Sequence, residues 1–293
     1  MLENDLLQIT VEDKGAELAH ITYIKTGQEL LWSADPAVWN RHAPLLFPYC
    51  GGLYNNQLVV NGVAYPAAKH GFARDTVFNC VRADAKTLVY RLEANDETRR
   101  LYPFSFVLEV AYTLQNNSVV QTVTVHNTAG PNGQMLPFNV GFHPGFVLPL
   151  TPGQKTEDYE VFFEEPESPI VIETPDGYVS GSTRKLFAGK QTISLTGSIF
   201  ANDSICLSGL RSGHIFLREK QNPQRNIRLK TGAFPYVLLW GPPSGPLPFM
   251  CIEPWHGLPD GPDAHAEFAD KPGITLLAPD EHFVTTLEME FNL

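Results

Sequence analysis

The chain has 293 residues, 43% of them hydrophobic, and carries a formal net charge of −11. That is apolar material for a sizeable core, yet no stretch is a long uncharged apolar run, which excludes a membrane-spanning helix, and the acid excess argues against a nucleic-acid partner, which needs clustered Lys and Arg. Cys50, Cys80, Cys206 and Cys251 are scattered without a C-x-x-C pair or zinc-finger spacing, so they are expected to be reduced and structural.

The opening "MLENDLLQIT" carries Glu3 and Asp5 where a signal peptide carries lysines, and no apolar h-region follows, so a cytoplasmic protein is expected. "ADPAVWN" (34–40) is able to form a helical turn. "LVVNGVAYP" and "YTLQNNSVVQTVTV" each set a short turn, Asn61-Gly62 and Asn116-Asn117, between β-branched runs, which predicts two antiparallel hairpins. In "FSFVLEVAY" the residues Phe104, Phe106, Leu108, Val110 and Tyr112 share one face of a strand. "GPDAHAEFAD" (261–270) is the second stretch able to make a helical turn. At the C-terminus Phe283, Leu287, Met289, Phe291 and Leu293 alternate with His282, Glu288, Glu290 and Asn292, again a half-buried strand. Short strands punctuated throughout by Pro and Gly, with no alternating helices, predict an all-β antiparallel sandwich or barrel. No linker and no fixed-period repeat interrupts it, so residues 1–293 are read as one domain.

Three segments carry residues suited to chemistry: "AAKHGFARD" with His70, "FNVGFHPGF" with His143, and "FMCIEPWHGLPD" with Glu253. Taken singly, either His is equally readable as a packed residue satisfied by a backbone carbonyl, and Glu253 as a strand-end acid paired with an Arg. Two His and one Glu form a legitimate ligand set, but no H-x-x-x-H or H-x-H spacing accompanies them, so no metal is expected. No G-x-S-x-G elbow is present. A glycosidase would need a pair of acids; Asp260 lies within reach of Glu253 in sequence, but that reading leaves both histidines unexplained.

Taken together, "RHAPLLFPYCGGLYNNQLVVNGVAYPAAKHGFARD", "FNVGFHPGF" and "FPYVLLWGPPSGPLPFMCIEPWHGLPD" resemble, in order and spacing, the aldose 1-epimerase (galactose mutarotase) family, and more closely its LacX-like branch. The resemblance implies a β-supersandwich of mostly antiparallel strands with few short helices, and an open cleft on one sheet. It implies catalysis by Glu253, His143 and His70, with Arg74 and Arg41 facing a sugar and Trp255 and Phe142 offering apolar faces to its ring. Where better-known galactose mutarotases have His-Gly-Gly, this chain has His70-Gly71-Phe72, and their sugar-binding Asp has only Asp203 in "FANDSICLSG" as a candidate counterpart.

The reaction implied is interconversion of the α and β anomers of a hexose, which needs a base at the C1 hydroxyl and an acid at the ring oxygen but no cofactor. An ionised Glu253 and a protonated His143, each stabilising the other's charge, are expected to fill those roles. Two other readings stay open. Arg41, Arg74 and Lys69 suit a hexose 6-phosphate, and a non-catalytic sugar-binding protein would need the cleft without the acid and base.

Overall fold

The computed structural model describes residues 1–262 and 267–293, and every pairing between its strands is antiparallel. A nine-stranded sheet runs in the order Lys190–Ser194, Tyr159–Glu167, His214–Glu219, Asn226–Lys230, His282–Asn292, Ser118–Asn127, Phe106–Gln115, Thr87–Glu93, Asn79–Ala83. An eight-stranded sheet follows the path Thr183–Lys185, Ile170–Ile172, Ile205–Ser208, Tyr236–Trp240, Phe249–Trp255, Gly141–Phe142, Leu45–Leu46, with Gly145–Val147 also paired to Phe249–Trp255. The fold is all-β, as the alternation predicts.

Both predicted hairpins form. Val60 pairs with Val63 around Asn61 (φ 50°) and Gly62 (φ 74°), the left-handed pair that a tight hairpin demands, and Gln115 pairs with Ser118 around Asn116 (φ 53°). The predicted helical turn in 34–40 is a single turn, closed by the Trp39 N–H donating to the Asp35 carbonyl at 2.9 Å. The second lies partly outside the described residues, and beyond them Phe268–Asp270 forms one 3₁₀ turn. The α-helix that does form, Asp96–Arg99, was not anticipated: Asn95 caps it by accepting from the Glu97 and Thr98 N–H groups while Thr98 Oγ1 accepts from the Asn95 N–H.

The main core fills the space between the two large sheets. Phe106, Leu108, Val110 and Tyr112 point into it from the nine-stranded sheet and Met250, Ile252, Val237 and Leu239 from the other. Phe146 meets Phe291 across the gap, ring centroids 6.3 Å apart. The eight-stranded sheet is apolar on its outer face too, where Leu46, Cys50, Cys206, Leu238 and Trp255 form one patch and Trp32, Phe249 and Cys251 another. All seven residues of Phe249–Trp255 are therefore buried, with even positions in the core and odd positions, Glu253 among them, on the outer face. Three cysteines are buried and unbridged, but Cys80 is exposed on the edge strand Asn79–Ala83, contrary to the structural role expected for all four.

Candidate active site

Register places the central pair. Gly141 pairs with Trp255 and Gly145 with Cys251, so His143, midway between, comes opposite Glu253 on the outer face. His143 Nε2 lies 3.1 Å from Glu253 Oε2, with the residues only 7% and 1% exposed. The two glycines make room: a Cβ on Gly141 would sit 2.7 Å from Trp255 Cδ1, and one on Gly145 2.8 Å from Trp39 Cζ3. Trp39 thereby stacks on the His143 ring, centroids 5.0 Å apart.

His70 arrives from a strained loop laid over the strand Leu45–Leu46. It has φ 69°, and Gly71, at φ 75°, passes so close that a Cβ would lie 2.1 Å from the Phe47 carbonyl oxygen. The His70 N–H donates to the Gly51 carbonyl at 2.7 Å, and the Gly51 N–H donates to His70 Nδ1 at 3.0 Å. Because Nδ1 accepts, the ring proton of neutral His70 sits on Nε2. The His70 ring stands edge-on to His143, centroids 5.6 Å apart.

His70, His143, Glu253, Trp255 and Arg74 line one cleft of about 360 Å³, together with Trp39, Trp240, Lys69, Thr174, Asp203 and Ser204. The lining combines aromatic rings with a few polar and charged groups, the usual composition of a small-ligand site. Trp39, Trp240 and Thr174 were not named from sequence, although Trp240 was legible as the partner of Leu238 in period-2 alternation. Asp203 does reach the cleft. Arg74 donates from Nη2 to the Lys69 carbonyl at 2.7 Å and lies 3.7 Å from Asp75.

Two expected sugar contacts are misplaced. Phe142 is 1% exposed and packs edge-on against Phe234, because strand alternation turns it to the core when His143 faces the cleft. Arg41 stands outside the lining, donating to the Arg74 carbonyl at 3.0 Å and to Asp75 Oδ1 at 2.7 Å. Asp260 is likewise committed elsewhere, to Lys271 and to the Tyr54 N–H at 2.8 Å, and makes no acid pair with Glu253.

Burial governs the protonation states. It raises Glu253 well above the ordinary carboxylate range, helped by Asp203 and opposed by the Lys69 charge. It lowers His143 to about 3, against the opposing effect of the residue's own main chain and with Arg74 and Lys69 adding to the fall. His70 is lowered well below its usual value by burial and then by His143. Desolvation thus works against the mutual charge stabilisation expected from sequence and favours the neutral form of each member of the pair, with the proton on the Glu253 carboxyl. Among the described residues, the atoms grouped closely enough to hold a metal are those of His143, Cys251 and Glu253.

The family model described as aldose 1-epimerase matches residues 1–265. The chain is 32% identical over 286 residues to the chromosomal LacX protein of Lactococcus lactis, covering 95% of this chain and 94% of that one. A galactose mutarotase related enzyme from Lactobacillus acidophilus superposes with a TM-score of 0.93 at 30% identity, over 100% of this chain and 96% of its own. A galactose mutarotase-like protein from Lactobacillus casei does so with 0.88 at 28% identity, over 99% and 98%. The match over nearly the whole length, joined to the LacX identity, means that the chain belongs to the aldose 1-epimerase family.

Proposed function

We propose that the protein is a mutarotase that interconverts the α and β anomers of a hexose, with Glu253 and His143 as the base and acid and His70 as a hydrogen-bond donor to the ring oxygen. The observation that carries this reading is the 3.1 Å His143–Glu253 contact on the wall of the cleft. A pair that holds one proton between two sites always offers one acid and one base, which is what hemiacetal opening needs. Moving that proton from carboxyl to imidazole leaves the net charge of the cleft unchanged and makes Glu253 the base. Glu253 then takes the proton of the C1 hydroxyl as His143 gives its own to the ring oxygen, and the ring opens to the aldehyde. Rotation about C1–C2 exposes the other face of the carbonyl. The ring hydroxyl returns its proton to His143 as it attacks, Glu253 reprotonates O1, and the pair is restored. His70, neutral with its proton on Nε2, can polarise the ring oxygen without competing for the transferred proton. Trp39, Trp240 and Trp255 supply apolar surface for the pyranose faces.

The same reading takes residues 1–293 as one domain, supported by a single core cluster that runs from Leu2 to Phe291. It places the enzyme in the cytoplasm; no described helix is long and apolar enough to cross a membrane. A second reading, a hexose 6-phosphate as substrate, is favoured by Lys69, whose Nζ makes no hydrogen bond or ion pair with any described residue. Polarimetry of freshly dissolved anomers, run on free hexoses and on their 6-phosphates, decides between them. Turnover of free hexoses, with a KM insensitive to salt and little changed in Lys69→Gln, is the expected result. Acceptance of the 6-phosphates alone, with affinity falling steeply as ionic strength rises, would establish the phosphate reading. Binding of sugars with no rate above the spontaneous one would reduce the protein to a sugar binder.

A further inference from the structure

Cys251 has no part in the acid–base cycle, yet it shares the outer face of its strand with Glu253, two residues away. Of its two cross-strand partners, Trp240 lies on one side and Gly145, which adds no side chain, on the other, the side from which His143 comes. One atom each from His143, Cys251 and Glu253 lies within 4.8 Å of the others, and all three residues are buried. Imidazole nitrogen, thiolate sulfur and carboxylate oxygen are the three ligand types that zinc takes, and the edges of a tetrahedron about that ion are spanned by ligand separations of roughly 3–4 Å, since its bonds are about 2.0–2.3 Å long. The His143–Glu253 separation of 3.1 Å is such an edge. His143 and Glu253 line the cleft, which leaves a fourth position open to water or a sugar oxygen. The ligand set differs from the His70, His143 and Glu253 trio that sequence suggests: His70 is engaged through Nδ1 by the Gly51 N–H, and Cys251 takes its place.

We propose that this cleft binds one zinc-class divalent cation through His143 Nε2, Cys251 Sγ and a Glu253 oxygen, and that the bound ion inhibits the enzyme by occupying the acid–base pair. Coordination releases two protons to solvent, the one on the thiol and the one the pair shares. Inhibition rests on the mutarotase reading; binding of the ion does not.

The test uses the full chain with Cys80→Ser, which removes the exposed thiol, and follows zinc by competition with a chromophoric chelator and cobalt(II) by its absorption spectrum. One zinc per chain is expected, and a thiolate-to-cobalt charge-transfer band. In that background Cys251→Ser, or Cys251→Ala if the serine variant does not fold, abolishes the band and weakens zinc binding by at least about tenfold. Glu253→Gln weakens binding but keeps the band. The stacked pair of half-buried His126 and exposed His282, centroids 3.9 Å apart, is a competing surface site, and being nitrogen-only it cannot give the band. Cobalt binding without a charge-transfer band in Cys80→Ser, or zinc affinity unchanged on losing Cys251, overturns the site. Zinc should also suppress anomerisation, reversibly with EDTA. Zinc bound with the thiolate band while anomerisation continues undiminished overturns the inhibition. A chain that shows the band but turns over no sugar keeps the metal site and defeats the mutarotase reading instead.

Discussion

Glu253 and His143 differ from an ordinary ion pair because both are taken out of water before they meet. Each then disfavours its charged form, and the proton is held as shared property of the pair. The one-proton state therefore spans a wide range: kcat/KM should be a broad bell with an acid limb at about 3, where a second proton is added, and an alkaline limb displaced upward from the usual carboxylate range, where the shared proton is lost. Steady-state polarimetry across pH checks this. Glu253→Gln keeps the side-chain shape but holds no exchangeable carboxyl proton, so the rate should fall by about 10²- to 10⁴-fold while sugar binding, followed by Trp fluorescence, persists. A Gln variant within a few-fold of wild type in turnover would return this carboxylate to a structural role.

At the scale of elements, the loop from Ala67 to Asp75 is held by core packing of Ala67, Phe72 and Ala73 and by the close backbone approach of Gly71 to Phe47. In Gly71→Ala the new Cβ would meet the Phe47 carbonyl in a left-handed conformation, so the loop must move or strain. A stability loss of about 1–3 kcal/mol is expected in urea denaturation, together with a lowered kcat, because His70 and its bond to Gly51 move with the loop. His256, at the end of the strand Phe249–Trp255, gives an independent readout of burial. Its Nε2 meets Thr285 Oγ1 at 2.8 Å, and burial lowers it to about 4. The folded state thus keeps it neutral where the unfolded chain, with an ordinary His value near 6.5, takes up a proton. Its contribution is whole above about pH 6.5 and is lost as pH falls toward 4. The Tm advantage of wild type over His256→Gln should shrink across that interval, and a constant gap would show that the residue is neutralised by other means.

For the whole molecule, the C-terminal strand His282–Asn292 lies inside the nine-stranded sheet between Ser118–Asn127 and Asn226–Lys230, not at its edge. Truncation before His282 removes Leu287, Met289 and Phe291 from the core and leaves two rows of backbone groups unpaired. The truncated chain is expected to lack a cooperative thermal transition by circular dichroism, whereas loss of an edge strand such as Asn79–Ala83 should leave one.

What the sequence determined by itself is what depends on neighbours a few residues apart. Alternation at Phe106 to Tyr112 and at Leu287 to Phe291, with the burial of one face of those two strands, and the Asn61-Gly62 turn are consequences of a two-residue period and of left-handed turn geometry, so they were legible without any fold. The motifs around His70, His143 and Glu253 were legible as a resemblance, and alternation alone, applied further, would have turned Phe142 to the core and set Cys251 beside Glu253. Tertiary structure decided the rest. Only the register of Gly141–Phe142 and Gly145–Val147 on Phe249–Trp255 brings His143 opposite Glu253, and only the packing of Trp39 and Trp240, from distant parts of the chain, encloses the pair. That enclosure suppresses the charges expected from residue types: the energy of an ionised group depends on the water it retains, and how much it retains is set by the fold around it.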